Sequence, residues 1–374
     1  NLVNRTIVIK EGTKKVSDDE YVKYRKPLNE RTILVSINGT IGNVGTYNGE
    51  KIILGKSACY FNLLPDISKS YICNIIESDY FRKYAFKSAT GSTIKNVPLK
   101  AINDFYIPLP PLQEQRRIVE SIEHRLSFVD CIEFDKEKLQ ETIKQAKSKV
   151  LDLAIHGRLV PQDPMDEPAS ELLKHINPKA EITSDNGHYQ KLPEGWVITS
   201  ISEMCENING LWKGKKEPFV KVGVIRNANF TKDFKLDYSK IEYIDVEERA
   251  FKKRHLLNGD LIVEKSGGSD NNPVGRAILY EGKDAIFSFS NFTMVLRILY
   301  KDVLSYKYLY YYIMSKYQKG EMRLMQTQTT GLHNLILDKY LDIPLCLPPY
   351  QEQQRIINKI EETFGVLDLI MENL

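Results

Sequence analysis

The sequence predicts an α+β chain, with two globular domains of mixed sheet and helix separated by long helices that carry a coiled-coil pattern. Three observations support this. One block of residues recurs at a constant spacing. Both copies mix β-rich stretches with an aromatic helix. Between them lies a long run free of Pro and Gly. At 374 residues the chain also exceeds what one compact core usually holds.

The repeat fixes the order of the elements. Leu109-Pro110-Pro111-Leu112-Gln113-Glu114-Gln115 recurs as Leu347-Pro348-Pro349-Tyr350-Gln351-Glu352-Gln353, a shift of 238. The same shift carries Ile122 to Ile360, Glu123 to Glu361, Asp130 to Asp368 and Asn96 to Asn334. Farther upstream, Leu28-Asn29-Glu30-Arg31-Thr32-Ile33-Leu34 matches Leu257-Asn258-Gly259-Asp260-Leu261-Ile262-Val263 at a shift near 229. A period this long means two copies of a domain plus a helix, rather than a solenoid.

Residues 1–112 form the first domain, with an apolar strand at 33–35, a β-rich stretch at 52–64 and an aromatic helix at 71–87. Residues 113–157 form a spacer helix that stops at Gly157. Its apolar positions Ile118, Ile122, Leu126, Val129 and then Leu139, Ile143, Ala146, Val150, Leu153 follow 4-3 spacing. Forty-four helical residues span roughly 66 Å, far beyond an ordinary globular helix. Residues 158–190 read as a turn, a short helix at 167–176 and a polar linker at 177–190. The second domain covers 191–350, with strands near 261–263, 277–280 and 285–299 and an aromatic helix at 306–318. A second helix at 351–374 repeats the apolar stripe with Ile356, Ile360, Phe364, Leu367 and Ile370 or Met371. Two such helices are expected to pair antiparallel; the alternative is that each packs on its own domain.

Between their anchors the copies diverge. Residues 36–45 correspond to 265–275; both are Gly/Asn-rich loops after an apolar strand, yet their polar residues differ. One scaffold with two sets of loop tips suits the reading of two different half-sites.

Charge points the same way. The net charge is +3, but residues 1–112 carry +6, 113–190 carry −4, 191–350 carry +4 and 351–374 carry −3. Two basic globular blocks are what phosphate neutralisation requires. Cys59, Cys73, Cys131, Cys205 and Cys346 are odd in number and never spaced C-x-x-C, which suits a reducing cytoplasm better than a disulfide framework or zinc site. No run of eighteen apolar residues suggests a membrane span.

Catalytic signatures are missing where they would be expected. Leu347-Pro348-Pro349-Tyr350 has Leu where a methyltransferase N-P-P-Y motif has its Asn, and its twin lacks the Tyr. No phosphate-cradling Gly motif is present. Asp260 with Glu281-Gly282-Lys283 matches the D…E-x-K pattern of Mg²⁺ nucleases, but the first copy has Arg31 and Asn48-Gly49-Glu50-Lys51 there. No catalytic residue and no metal ligand is therefore assigned.

DNA contact is expected from side chains that can read base edges and from nearby cations that hold phosphates. In the first domain these are Lys14, Lys15, Lys23, Arg25 and Lys26, then Asn38, Thr40 and Asn43, then Ser92, Thr93 and Lys95. In the second they are Trp212, Lys213, Lys215, Lys216, Lys252, Lys253 and Arg254. Also expected are Ser266, Ser269, Asn271, Asn272 and Arg276, with Gln326, Gln328, Thr330 and His333. Asn96 and Asn334, which occupy equivalent places, read as turn or cap residues.

The paired L-P-P-x-Q-E-Q blocks, each followed by a helix, resemble type I restriction–modification specificity subunits. So do the run from Ala154 through Gly157-Arg158-Leu159-Val160-Pro161-Gln162-Asp163-Pro164 to Glu167-Pro168-Ala169, and the opening Leu192-Pro193-Glu194-Gly195-Trp196. The resemblance covers essentially the whole chain. It implies two target-recognition domains joined by the family's helices in an antiparallel coiled coil, each domain reading half of a split DNA sequence. It also implies two modification subunits that methylate adenine with S-adenosylmethionine, and restriction subunits that hydrolyse ATP and cut DNA with Mg²⁺. No cofactor is expected in the chain itself. Residue 1 aligns near residue 230, so the first domain is expected to be N-terminally incomplete by about forty residues, and the helix at 351–374 to be truncated. A second reading makes the chain the recognition portion of a self-contained restriction endonuclease or methyltransferase.

Overall fold

The computed structural model describes residues 1–176, 192–211, 214, 216–329 and 331–374. The chain divides into two compact units, Asn1–Asp135 and Lys136–Leu374.

The first unit opens with the hairpin β1 (Leu2–Val3) and β2 (Thr6–Ile7). Helix α1 (Asp18–Tyr24) starts on a capping box in which Ser17 and Glu20 satisfy each other's backbone N–H. Strands β3 (Thr32–Ser36), β4 (Val44–Thr46) and β5 (Ala58–Asn62) form an antiparallel sheet in the order β4-β3-β5. Every residue of β3 is buried, because both faces of this central strand are covered. The sequence suggests strand from residue 52, but the chain is irregular until a turn at Gly55, whose carbonyl accepts from Ala58 N–H.

The expected single helix at 71–87 is two, α2 (Lys69–Glu77) and α3 (Asp79–Ser88). Ser78 between them is extended, at φ −74° and ψ 160°, and its hydroxyl donates to the Ile75 carbonyl at 2.6 Å. That local bond gives the backbone an alternative to continuing the helix. Then come α4 (Leu99–Asn103) and the long helix α5 (Leu112–Ile155). Ile33, Val35, Ile72, Ile76, Phe81 and Val97 form the centre of the core, and Ile118 and Val119 of α5 pack against it.

The second unit begins within α5. It continues with α6 (Ala169–Ile176), β6 (Val197–Ser200), α7 (Ile201–Met204) and β7 (Cys205–Asn209). Next are β8 (Phe219–Ile225), β9 (Glu242–Glu247), α8 (Glu248–Lys253), β10 (Leu261–Glu264) and β11 (Ser266–Gly268). After these come β12 (Ala277–Leu279), β13 (Phe287–Phe289), β14 (Thr293–Ile298) and α9 (Tyr306–Gln318). The last are β15 (Gln326–Thr329), β16 (Leu332–Leu335), α10 (Leu337–Leu341), β17 (Pro344–Leu347) and α11 (Tyr350–Glu372). The main sheet runs β12-β10-β14-β7, and a second runs β13-β8-β9 with β13 and β8 parallel.

Helix α5 ends in a Schellman motif. Gly157 N–H donates to the Ala154 carbonyl and Arg158 N–H to that of Leu153, with Gly157 at φ +63°. A Cβ there would also lie 2.3 Å from Pro193 Cγ, so glycine is required twice over.

Within this unit α5 and α11 run antiparallel. The Lys147 ammonium pairs with Asp368 and lies 5.1 Å from the Phe364 ring, while Lys136, earlier in α5, donates to the carbonyl of Leu374, beyond the end of α11. The seam departs from its expected line: Ile143 is buried, but beyond it the deepest positions are Leu151, Ala154 and Ile155 rather than Val150 and Leu153. There the helix enters the core beside Ile356, Ile357 and Ile360 and is covered on more than one side. Earlier seam positions Leu126 and Val129 are exposed.

The repeated glutamine does the same work in each unit. Gln115 accepts from Ser68 N–H at 2.8 Å, at the start of α2, and donates to the Pro110 carbonyl at 2.8 Å. Gln353 accepts from Ser305 N–H at 2.9 Å, at the start of α9, and donates to Pro348 and Val303 carbonyls. Tyr71 and Tyr308 add a matched hydroxyl bond to the chain before each motif, on Pro108 and Cys346. One side chain thus satisfies an orphan helix N–H and fixes the chain's entry into the long helix.

Candidate nucleic-acid interface

In the second unit a small antiparallel sheet, ordered β11-β16-β15, brings together two segments far apart in the sequence. Ser266 lies opposite Asn334, and His333 lies opposite both Gly268 and Gln328. The Ser266 hydroxyl donates to Asn334 Oδ1 at 2.5 Å, and Leu335 N–H donates to the Lys265 carbonyl at 2.8 Å. Past β11 the chain turns sharply, with Ser269 N–H on the Asn272 carbonyl at 2.8 Å and Asn272 N–H on Ser269 Oγ at 3.2 Å. A Cβ on Gly268 would sit 2.8 Å from the Asn272 carbonyl oxygen, so the turn needs glycine.

Ser269, Asp270, Asn271, Asn272 and Gln328 are exposed, so their side chains can meet a partner. Other expected contact residues face inward. His333 is buried, with Nε2 at 3.5 Å from Asp270 Oδ1. Gln326 is half-buried and accepts from Val274 N–H at 3.3 Å. Arg276 is half-buried, 3.3 Å from the buried Glu264 carboxylate and 5.3 Å from the Phe230 ring. Burial pushes the Glu264 carboxyl up, and Arg276 opposes that shift. Sequence reasoning misses three neighbours of this sheet. Asn227 donates to the Ser266 carbonyl at 2.6 Å, and Lys265 donates to Asn209 Oδ1 at 2.8 Å. Of the three, only Lys265 carries a sequence signal, since it adjoins the loop.

The first unit builds a counterpart. Asn38 bridges to Asn96, Gly39 N–H donates to the Lys95 carbonyl at 3.3 Å, and Val97 N–H donates to that of Ile37 at 2.8 Å. Thr90 and Asn96 exchange backbone bonds at 2.9 Å, closing a turn that exposes Ser92, Thr93 and Lys95. Thr40 and Asn43 are exposed and Asn38 is half-buried. Asn96 and Asn334 therefore hold equivalent places, each where a distant segment meets the loop after the central strand.

The remaining cations stand apart. Lys14, Lys15, Lys23, Arg25 and Lys26 are exposed before, within and after α1, with the Lys23 ammonium 5.2 Å from the Tyr24 ring centre. Lys216 is exposed, as are Lys252 and Lys253 in the last turn of α8, where Lys252 pairs with Glu248 at 2.6 Å. Arg254 caps that helix half-buried. Among the described residues, no hydrogen bond or ion pair joins these cations to the loop pair of their own unit. Trp212, Lys213, Lys215 and Thr330 lie outside the described residues, as does the expected linker at 177–190.

The nuclease-like acids are otherwise engaged. Asp260 is buried against Arg297, with bonds of 2.7 and 2.9 Å, and accepts from Leu257 N–H at 2.7 Å. Its carboxylate raises the affinity of the Arg297 guanidinium for its proton. Glu281 lies 3.8 Å from Lys307. Among the described residues no group of three or more His, Cys, Asp or Glu could hold a metal ion, and no helix is long and apolar enough to cross a membrane.

Each of the two copies of this scaffold also finds its match among known proteins. A family model described as type I restriction modification DNA specificity domain matches residues 5–145 and 193–372, one stretch per copy. The chain belongs to this family. It is a DNA-recognition chain, and the enzymatic activities lie in partner subunits. It is similar to the StySPI specificity subunit of Salmonella potsdam, 24% identical over 338 residues, covering 86% of this chain and 67% of that protein. The EcoAI specificity subunit of Escherichia coli is 27% identical over 364 residues, covering 79% of this chain and 59% of that one. The fold is shared with the HsdS subunit of Thermoanaerobacter tengcongensis, at TM-score 0.55 and 16% identity over 92% of this chain and 76% of the other. A chain from a type I restriction–modification complex gives TM-score 0.57 at 17% identity over 92% and 77%.

Proposed function

We propose that the chain reads a bipartite duplex, one half-site per unit, with the helical region setting the number of base pairs between them. The observation that carries this is the paired architecture: each unit presents an exposed polar loop beside a distant segment, held by matched backbone bonds, and the exposed residues differ. In the second unit Ser269, Asn271, Asn272 and Gln328 are the base-reading set, and in the first Thr40, Asn43, Ser92 and Thr93, with Lys95 on phosphate. Lys14, Lys15, Lys23, Arg25, Lys26, Lys216, Lys252 and Lys253 supply further phosphate contacts. Asn38, Ser266, Arg276, Gln326 and His333 support the loops from beneath, and Arg254 caps α8.

The assembly that supports such a chain holds two modification subunits, which methylate adenine with S-adenosylmethionine, and restriction subunits that use ATP and Mg²⁺, in the cytoplasm. Exchanging residues 266–272 and 326–329 together for those of a relative tests the reading. Genome-wide mapping of modified adenines should show one half-site replaced and the other intact. A motif unchanged in both halves, or altered in both, would overturn it.

A further inference from the structure

Asp270 is the charge that does not fit a DNA-facing loop. It lies in the tight turn after β11, and its side chain is 89% exposed. Residues 266–272 contain no Lys or Arg, and the neighbouring Lys265 ammonium is bonded to Asn209. Beneath Asp270, the buried His333 ring on β16 places Nε2 3.5 Å from the carboxylate, and the other ring nitrogen, Nδ1, is buried with no hydrogen-bond partner among the described residues. The carboxylate thus lies close to the sheet that displays the loop. Phosphates repel an exposed carboxylate, whereas a base edge that shows an amine can donate to it.

Resting on the function proposed above, we propose that Asp270 reads a cytosine in the half-site of the second unit, accepting a hydrogen bond from the exocyclic N4 amine in the major groove. A carboxylate only accepts. Cytosine and adenine both show an amine in that groove, but adenine sets its N7 acceptor beside the amine, where it repels a carboxylate; cytosine shows N4 alone. His333 is the positioning residue.

The test uses the chain assembled with its modification subunits and a pool of duplexes randomised through both half-sites. The wild type should enrich cytosine at one position of one half-site. D270A should lose that preference by about tenfold and leave the other positions intact. D270N, which keeps the shape and adds donors, should move the preference towards adenine. H333A should blunt the same position, and H333Q, which retains a donor, should restore part of it. D302N removes an exposed charge from a turn outside the sheet and serves as the control. If D270A and D270N leave every base frequency unchanged, or merely raise affinity for all sequences as D302N does, Asp270 reads no base. That result differs from failure of the underlying reading, in which exchange of the whole loop pair would alter neither half-site.

Discussion

Gln115 and Gln353 show how much one side chain can settle. They are 1% and 0% exposed, and each joins a helix N-terminus to the carbonyl of the motif's proline. Truncation would leave buried donors and acceptors unmet, so Gln115→Ala should cost about 2 kcal/mol and Gln353→Ala, which loses a third bond, about 3 kcal/mol. Denaturant melts measure this, and the base preference of the variant that stays folded should be unchanged. Altered preference with normal stability would mean that the glutamine touches DNA. The internal repeat marks both residues in the sequence, but it does not disclose their role, since a repeated Q-E-Q reads equally well as the start of a solvated helix. Glu352, in the same motif, is buried against Trp196 Nε1 and Gln162 Nε2 at 3.0 Å each, whereas its twin Glu114 is exposed.

Among the elements, the end of α5 is tied to the end of α9 by Asp152 and Lys319, 2.5 Å apart. The hydrogen bond from Lys319, chiefly, holds the Asp152 carboxyl at about 2, below the ordinary value near 3.9. A depressed carboxyl stabilises the fold fully above its unfolded value and loses that contribution as the pH falls through the folded one. Stability should therefore drop between about pH 4 and pH 2, and Asp152→Asn should flatten that part of the curve. A variant curve parallel to the wild type would show that the pair contributes nothing to acid unfolding. Heptad spacing discloses both long helices, but it places Val150 and Leu153 on the seam. The spacing describes a helix with one partner, and the last turns of α5 have a whole core around them.

At the scale of the molecule, inserting about four or seven residues into the exposed part of α5 near Leu126 adds one or two helical turns. The preferred gap between half-sites should widen while both half-sites keep their sequences, as methylation mapping would read directly. Changed half-sites at constant gap would show that the helix is no spacer. The two family matches, one on each copy, restate in other terms what the internal repeat shows.

The sequence by itself determined the α+β class, the duplication, the long helix with its stop at Gly157, and the recognition role. The class, the duplication and the helix rest on local or repeated patterns, such as apolar periodicity, a Gly at the helix stop and anchors spaced alike in both copies, and the role rests on the family resemblance that those anchors carry. Only the tertiary structure decided which polar residues face out. Gln328 and His333 are five residues apart in one hairpin, yet one is exposed and the other buried, because β11 covers one side of β16. Arg276 reads as a phosphate contact in the sequence, but Glu264 and Phe230, from other strands and turns, surround it in the fold. Side-chain direction depends on neighbours that are remote in the chain, and no single stretch of sequence contains them.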